Sequence, residues 1–156
     1  NIVTTIDHRL PGGKTSELIK GVAADRGHGA FQGKIIVREG AQQTDARQTS
    51  RNIILGRRAS IDTKPELEIL ADDVKCTHGS TIGPVDEDMV FYLRTRGVGL
   101  DAARHLLTYA FAADITRRIR VEPVRRRLED FMAEQHGLPM DLRITDLGEH
   151  DEKAGV

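Results

Sequence analysis

At 156 residues and 38% hydrophobic content, the chain has material for one core, or a core with a small appended unit, and not for several domains. With 23 Lys and Arg against 24 Asp and Glu, the net charge is −1, which disfavours both a nucleic-acid binder and a polyanionic tail and leaves only local charge effects. The single cysteine excludes an internal disulfide and points to a reducing compartment. No basic-then-apolar leader is seen, and the longest apolar helical stretch, around Leu106 to Ala113, falls far short of the roughly 20 residues that cross a bilayer, so a soluble cytoplasmic protein is expected. The chain begins at Asn1, mid-pattern and without Met, and reads as a piece of something longer.

Short apolar runs recur through the first half: Ile2-Val3, Leu18-Ile19, Lys34 to Val37, Asn52 to Leu55 and Leu67 to Leu70, about 14 to 18 residues apart. Breakers separate them, among them Pro11-Gly12-Gly13, Gly27-His28-Gly29, Glu39-Gly40, Gly56, Pro65 and Gly79. Strand and turn at a regular interval suit a coiled parallel sheet, in which each rung buries its apolar face only on its neighbours. Residues 1 to 85 therefore read as rungs of a β-helix. An ordinary β-sandwich stays open as the second reading, because no strict repeat signature is present.

The character changes at Asp86. In DEDMVFYLRTRG, Asp86 can cap a helix, Glu87 and Asp88 suit its positive end, Arg94 and Arg96 its last turn, and Gly97 its close. From Leu100 the residues Ala103, Leu107, Ala110, Phe111, Ile115 and Ile119 follow at three- and four-residue steps, which predicts a longer amphipathic helix. Pro123 suits the first turn of a third helix, with Val124, Leu128, Phe131 and Met132 on one face and Gly137 with Pro139 at its end. The expected organisation is a β-helix core over 1–85, a helical unit over 86–145 and a polar, frayed tail over 146–156.

Cys76 and His78, in ADDVKCTHG, are the residues best suited to chemistry. Two positions apart on a strand, they emerge on the same face. Sulfur and imidazole suit iron, zinc or an iron-sulfur cluster, but Cys-x-His supplies at most two of the four ligands of a closed site. His8, His28, His105, Asp72 and Asp73 have no metal-motif spacing, so a second subunit is at least as plausible a source of the rest. The alternative is a buried cysteine acting as a small hydrophobe beside a hydrogen-bonded histidine. A cysteine nucleophile is disfavoured, since no helix N-terminus follows Cys76 to lower its pKa. The basic run RRIRVEPVRRR lacks interleaved aromatics, DRGHGAFQG does not match a phosphate loop, and Glu66 with Glu68 read as solvated charges on one face of an edge strand.

Several strings taken together, AQQTD before NIIL, DTKPELEI, ADDVKCTHG and FYLRTRG, resemble the core of the SufB/SufD family of iron-sulfur cluster assembly proteins over residues 26 to 97. The stretch AARHLLTYAFAADITRRI is similar to the family's C-terminal helices, and ADDVKCTHG resembles the SufD branch. The resemblance implies the C-terminal portion of such a protein, with a right-handed parallel β-helix followed by a helical domain. It also implies a non-catalytic scaffold that pairs with SufB and docks the SufC ATPase. A transient iron-sulfur cluster would be shared with SufB, and ATP would enter only through SufC. Cys76 and His78 fall on the family's Cys-x-His, with His78 the firmer candidate ligand at the SufB interface. Leu106, Tyr109, Ala110, Ala113 and Arg117 become candidate SufC-docking residues, the alternative being that they pack on the third helix. A homodimer through the strand edge near residues 72 to 85 is a further expectation, and neither nucleic acid nor membrane is expected as a partner. Two other classes compete. A β-helix enzyme would need a strict six-residue repeat or a groove of clustered acids and bases, which are absent, whereas a structural β-helix interaction protein would bind no cluster.

Overall fold

The computed structural model describes residues 1 to 135, and the chain divides into two compact units, Asn1–Pro84 and a second beginning at Val85. The first contains β1 (Ile2–His8), β2 (Lys14–Ala24), β3 (His28–Val37), β4 (Asp45–Leu55), β5 (Ser60–Ile69) and β6 (Lys75–Gly83). Sequence neighbours do not pair. Every pairing is parallel, in two three-stranded sheets ordered β1-β3-β5 and β2-β4-β6. The chain thus alternates between the sheets and stacks each strand on the one two places earlier, the β-helix-like arrangement expected, and not the antiparallel pairing of a sandwich. Lys14, Asp45 and Lys75 align at intervals of 31 and 30 residues, and Ile2, Phe31 and Thr63 at 29 and 32. The interval seen in the apolar runs is half of one coil.

Alternation decides which side chains face inward. Phe31, Ile35 and Val37 of β3 and Ala46, Gln48, Ser50 and Asn52 of β4 are buried, while their odd-even neighbours are more exposed. Ile35 and Val37 pack with Ala46 and with Ala41 and Ala71 from the corners. A fully buried Ile or Val side chain contributes about 1.5–3 kcal/mol, and Ile35 and Val37 are both fully buried here. The corners stack as the strands do. Gly12 N–H donates to Gln42 O at 2.8 Å, Gln43 N–H to Asp73 O at 2.6 Å, and Asp73 N–H to Gln42 Oε1 at 2.9 Å. Gln43 makes this turn at φ 61°, a left-handed conformation uncommon for a residue with a side chain.

The outer face of β1-β3-β5 is neutralised pair by pair. Lys34 Nζ lies 2.6 Å from Glu68 and Lys64 Nζ 3.0 Å from Glu66. Glu66 and Glu68 share a face of the outer strand β5 and are solvated as expected, each in addition paired with a lysine. On β1, Asp7 accepts from Arg38 Nε at 2.9 Å and from Arg9 Nε at 2.8 Å. The hydrogen bond from Arg38, then that from Arg9, lowers its pKa to about 2. A carboxylate whose folded pKa is depressed contributes stability above its unfolded value, roughly 3.9, and loses it as pH falls through the folded one. We therefore expect Asp7→Asn to remove a stability increment that the intact protein shows at pH 7 and loses between about pH 4 and pH 2. Urea midpoints across that range check it, and identical pH profiles for the two proteins would refute it.

The second unit has α1 (Glu87–Thr95), α2 (Leu100–Thr116) and α3 (Glu122–Gln135). Asp86 Oδ1 accepts from the N–H groups of Asp88 and Met89, and Gly97 at φ 89° follows the last turn, as the capping pattern predicts. Arg104 from α2 pairs with Glu87 of α1 at 3.0 Å. Helices α2 and α3 pack through Tyr109, Ala113 and Ala133, flanked by Met132, and Thr116 Oγ1 donates to the buried Glu129 at 3.3 Å. The expected end of α3 at Gly137 and Pro139 and the tail from residue 146 lie outside the described residues.

Candidate functional site

Strand β6 carries Cys76 and His78. It is an outer strand of its sheet, and its inward positions pair with those of β4: Cys76 with Ala46, His78 with Gln48, Ser80 with Ser50 and Ile82 with Asn52. Cys76 is half-buried and packs against the cluster of Ile35, Val37, Ala41, Ala46 and Ala71. Burial pushes its thiol pKa up, so the neutral thiol is favoured where it stands. His78, one pleat further, is exposed. The two donors thus share a face in different surroundings, the sulfur against apolar side chains and the imidazole toward solvent.

Among the described residues no group of three or more His, Cys, Asp or Glu side chains is placed to hold a metal ion. Cys76 and His78 fit an iron or a cluster as two donors of borderline or soft character, and they do not make a closed site by themselves. His8 is occupied elsewhere, its Nε2 lying 2.8 Å from Thr15 Oγ1. Chemically, the arrangement can offer one or two ligands to a group completed from another chain.

One constellation was not legible in the sequence, because its members lie 32 residues apart. His28 Nδ1 stands 2.8 Å from Ser60 Oγ, and His28 Nε2 stands 3.6 Å from Asp62. The three residue types are those of a hydrolytic triad, but Asp62 is 80% exposed and His28 54%. A triad carboxylate is buried to orient its histidine and stabilise the imidazolium. This trio is instead solvated, and it marks the stacking of the turns before β3 and β5.

The candidate docking residues separate. Tyr109 and Ala113 are buried in the α2–α3 cluster, so within this unit they pack on the third helix and do not form a surface. Leu106 is half-buried, and Ala110 and Arg117 are exposed. One outward apolar stripe runs from just before α3 along it: Val121, Val124, Leu128 and Phe131, at steps of three and four residues, are 59%, 49%, 40% and 58% exposed. Helix α3 turns Glu129 and Ala133 inward instead. On α1, Phe91 and Tyr92 are also exposed, with the Arg96 guanidinium 4.9 Å from the Tyr92 ring centre.

The described residues thus form a stack of parallel strands with a two-donor pair on an outer strand, Cys76 half-buried and His78 exposed, and helices that carry an unburied apolar stripe. Residues 1–111 match the family described as SUF system FeS cluster assembly, SufBD core domain, and the chain belongs to that family. It is 40% identical over 125 residues to the iron-sulfur cluster assembly protein SufD of Escherichia coli, covering 80% of this chain and 30% of that protein. It is 45% identical over 125 residues to an iron-sulfur cluster assembly SufBD family protein of Synechocystis, covering 80% of this chain and 28% of that one. The SufD of Bacillus subtilis is 34% identical over 131 residues, covering 82% of this chain and 29% of the relative. The chain therefore spans about 30% of the length of these relatives. No helix among the described residues is long and apolar enough to cross a membrane.

Proposed function

We propose that this chain is a segment of a non-catalytic scaffold in SUF iron-sulfur cluster assembly, pairing with SufB through the coil and docking the SufC ATPase through its helices. The observation that carries the reading is the incomplete donor pair: Cys76 and His78 share one face, and no third donor among the described residues joins them. The nascent cluster is cargo in this scheme, held only until transfer. His78 offers a ring nitrogen from an exposed position, and SufB supplies the missing ligands. Cys76 enters as ligand only if its half-buried thiol loses its proton, which a bound metal would drive because ligation requires the thiolate. ATP enters only through SufC, and the site of assembly is the reducing cytoplasm, where the free Cys76 stays a thiol.

A second reading, a structural β-helix protein without a cluster role, is favoured by one observation, the packing of Cys76 on the apolar cluster. Anaerobic reconstitution of the full-length protein with SufB and SufC separates the two. With His78→Ala we expect an assembled complex whose iron and sulfide content and visible absorption fall to background. A normal cluster in that variant would refute the ligand role and leave an architectural partner.

A further inference from the structure

The inward column that contains His78 does not end with it. In register across the second sheet stand Glu17 of β2, Gln48 of β4 and His78 of β6. Gln48 is the middle member, and it is 0% exposed. Its Nε2 donates to Glu17 Oε2 at 2.6 Å, while its Oε1 is buried and has no hydrogen-bond partner. A planar amide carries N and O on opposite arms of one carbon. With the nitrogen committed to Glu17 of β2, the oxygen is the end of the amide left without a partner, and the strand on the other side of Gln48 is β6. Same-face neighbours on adjacent strands are about 4.8 Å apart, within reach of a long side chain and an imidazole.

Gln48 has little freedom to turn elsewhere. Across the interior it meets Gly33, where an added Cβ would stand 2.5 Å from the Phe31 ring and closer still to Gln48 Nε2. The amide fills the space that the missing side chain leaves. A buried acceptor left without a donor costs about 1–3 kcal/mol, so a donor beside it is stabilised by meeting it. Imidazole N–H is such a donor, and a histidine that binds a metal through one nitrogen is oriented by the hydrogen bond made through the other.

We propose that Gln48 is a positioning residue for His78: the exposed imidazole, which makes no bond to Gln48 in this structure, turns inward so that Gln48 Oε1 accepts a hydrogen bond from one ring N–H, fixing the tautomer and aiming the other nitrogen outward. Glu17 completes the device by engaging the Gln48 nitrogen, which leaves the oxygen as the open acceptor. The inference rests on the reading of His78 as a ligand, but its test does not.

The test is the ring 15N spectrum of His78 in the full-length protein without metal, at a pH where the imidazole is neutral. We expect one dominant tautomer in the wild type and a mixture in Gln48→Met, which keeps the volume and removes the acceptor. Exchanging the pair, Glu17→Gln with Gln48→Glu, retains both the bond between them and a free acceptor at position 48, and is expected to restore the single tautomer. A mixture in the wild type overturns the proposal without any variant, as does an unchanged single tautomer in Gln48→Met. Should Gln48→Met not fold, the wild-type spectrum and the exchanged pair decide, and a mixture in either overturns it. A tautomer that depends on Gln48, together with a normal cluster in His78→Ala, would support the positioning while removing the ligand reading. The two can therefore fail separately.

Discussion

Leu128→Glu combined with Phe131→Glu is expected to release the SufC ATPase from the full-length protein while leaving the helices folded. Both side chains lie on the outward stripe of α3, 40% and 58% exposed, and neither belongs to the cluster that joins α3 to α2. Surface substitutions away from such clusters usually change stability by no more than about 0.5 kcal/mol, so circular dichroism should be almost unaltered. An amphipathic helix docks by laying apolar anchors at three- and four-residue spacing into a groove. Two carboxylates placed in a desolvated groove remove the anchors and add unpaired charge. Loss of an interface hot spot costs about 2 kcal/mol or more, roughly thirtyfold in affinity, and the paired change should exceed that. Calorimetry or co-purification reads the outcome, and unchanged affinity would show that SufC docks elsewhere. The complementary change, Tyr109→Ala, would lower stability instead, because that ring is buried between helices.

Gly33→Val is expected to destabilise the intact protein strongly, whereas Gly79→Val is expected to be neutral or mildly stabilising. Both glycines sit in strands, and strand propensity alone favours valine by up to about 1 kcal/mol. The surroundings decide the sign. At Gly33 the new Cβ would collide with the buried Phe31 ring and the Gln48 amide, and the amide cannot retreat without breaking the bond to Glu17. Overpacking costs typically 1–3 kcal/mol, and an orphaned Glu17–Gln48 pair adds to it. At Gly79 nothing stands within 4 Å of an added Cβ. Urea denaturation of the two variants checks the contrast, and equal midpoints would mean that the interior at Gly33 is looser than the geometry implies.

Much of the coil was legible because the five apolar runs mark β1 to β5, only Leu70 of the last lying just past its strand, and their spacing matches half a coil. What escaped is equally physical. The first half of β4, Asp45 to Ser50, carries no apolar run, since its inward positions are Ala46, Gln48 and Ser50. Pairing of strands two places apart is a property of the stack, and it alone brings Gln48 beside His78 and Ser60 beside His28, at separations of 30 and 32 residues. Cys76 and His78 were readable as a pair because alternation is local, but their different burial is not, for it depends on which neighbours reach across the interior. On α2, the apolar period could not distinguish the face that meets α3 from a face left open. Tyr109 and Ala113 therefore read as outward when they are buried, while the open stripe lies on α3.

The stacked corners set a rule for how this part of the chain can change length. Each corner hands its hydrogen bonds to the next, Gly12 to Gln42 and Gln43 to Asp73, so the natural unit of gain or loss is a whole coil of about 30 residues, whose removal brings matching donors and acceptors together again. Loss of a single residue inside β3 would turn Ile35 and Val37 out of the interior and bring their outward neighbours in. Insertions within a corner face a lesser penalty when they loop outward and leave these bonds in place. Descendants of such a chain should therefore differ in length by coils and by corner loops, with the strands themselves conserving their count.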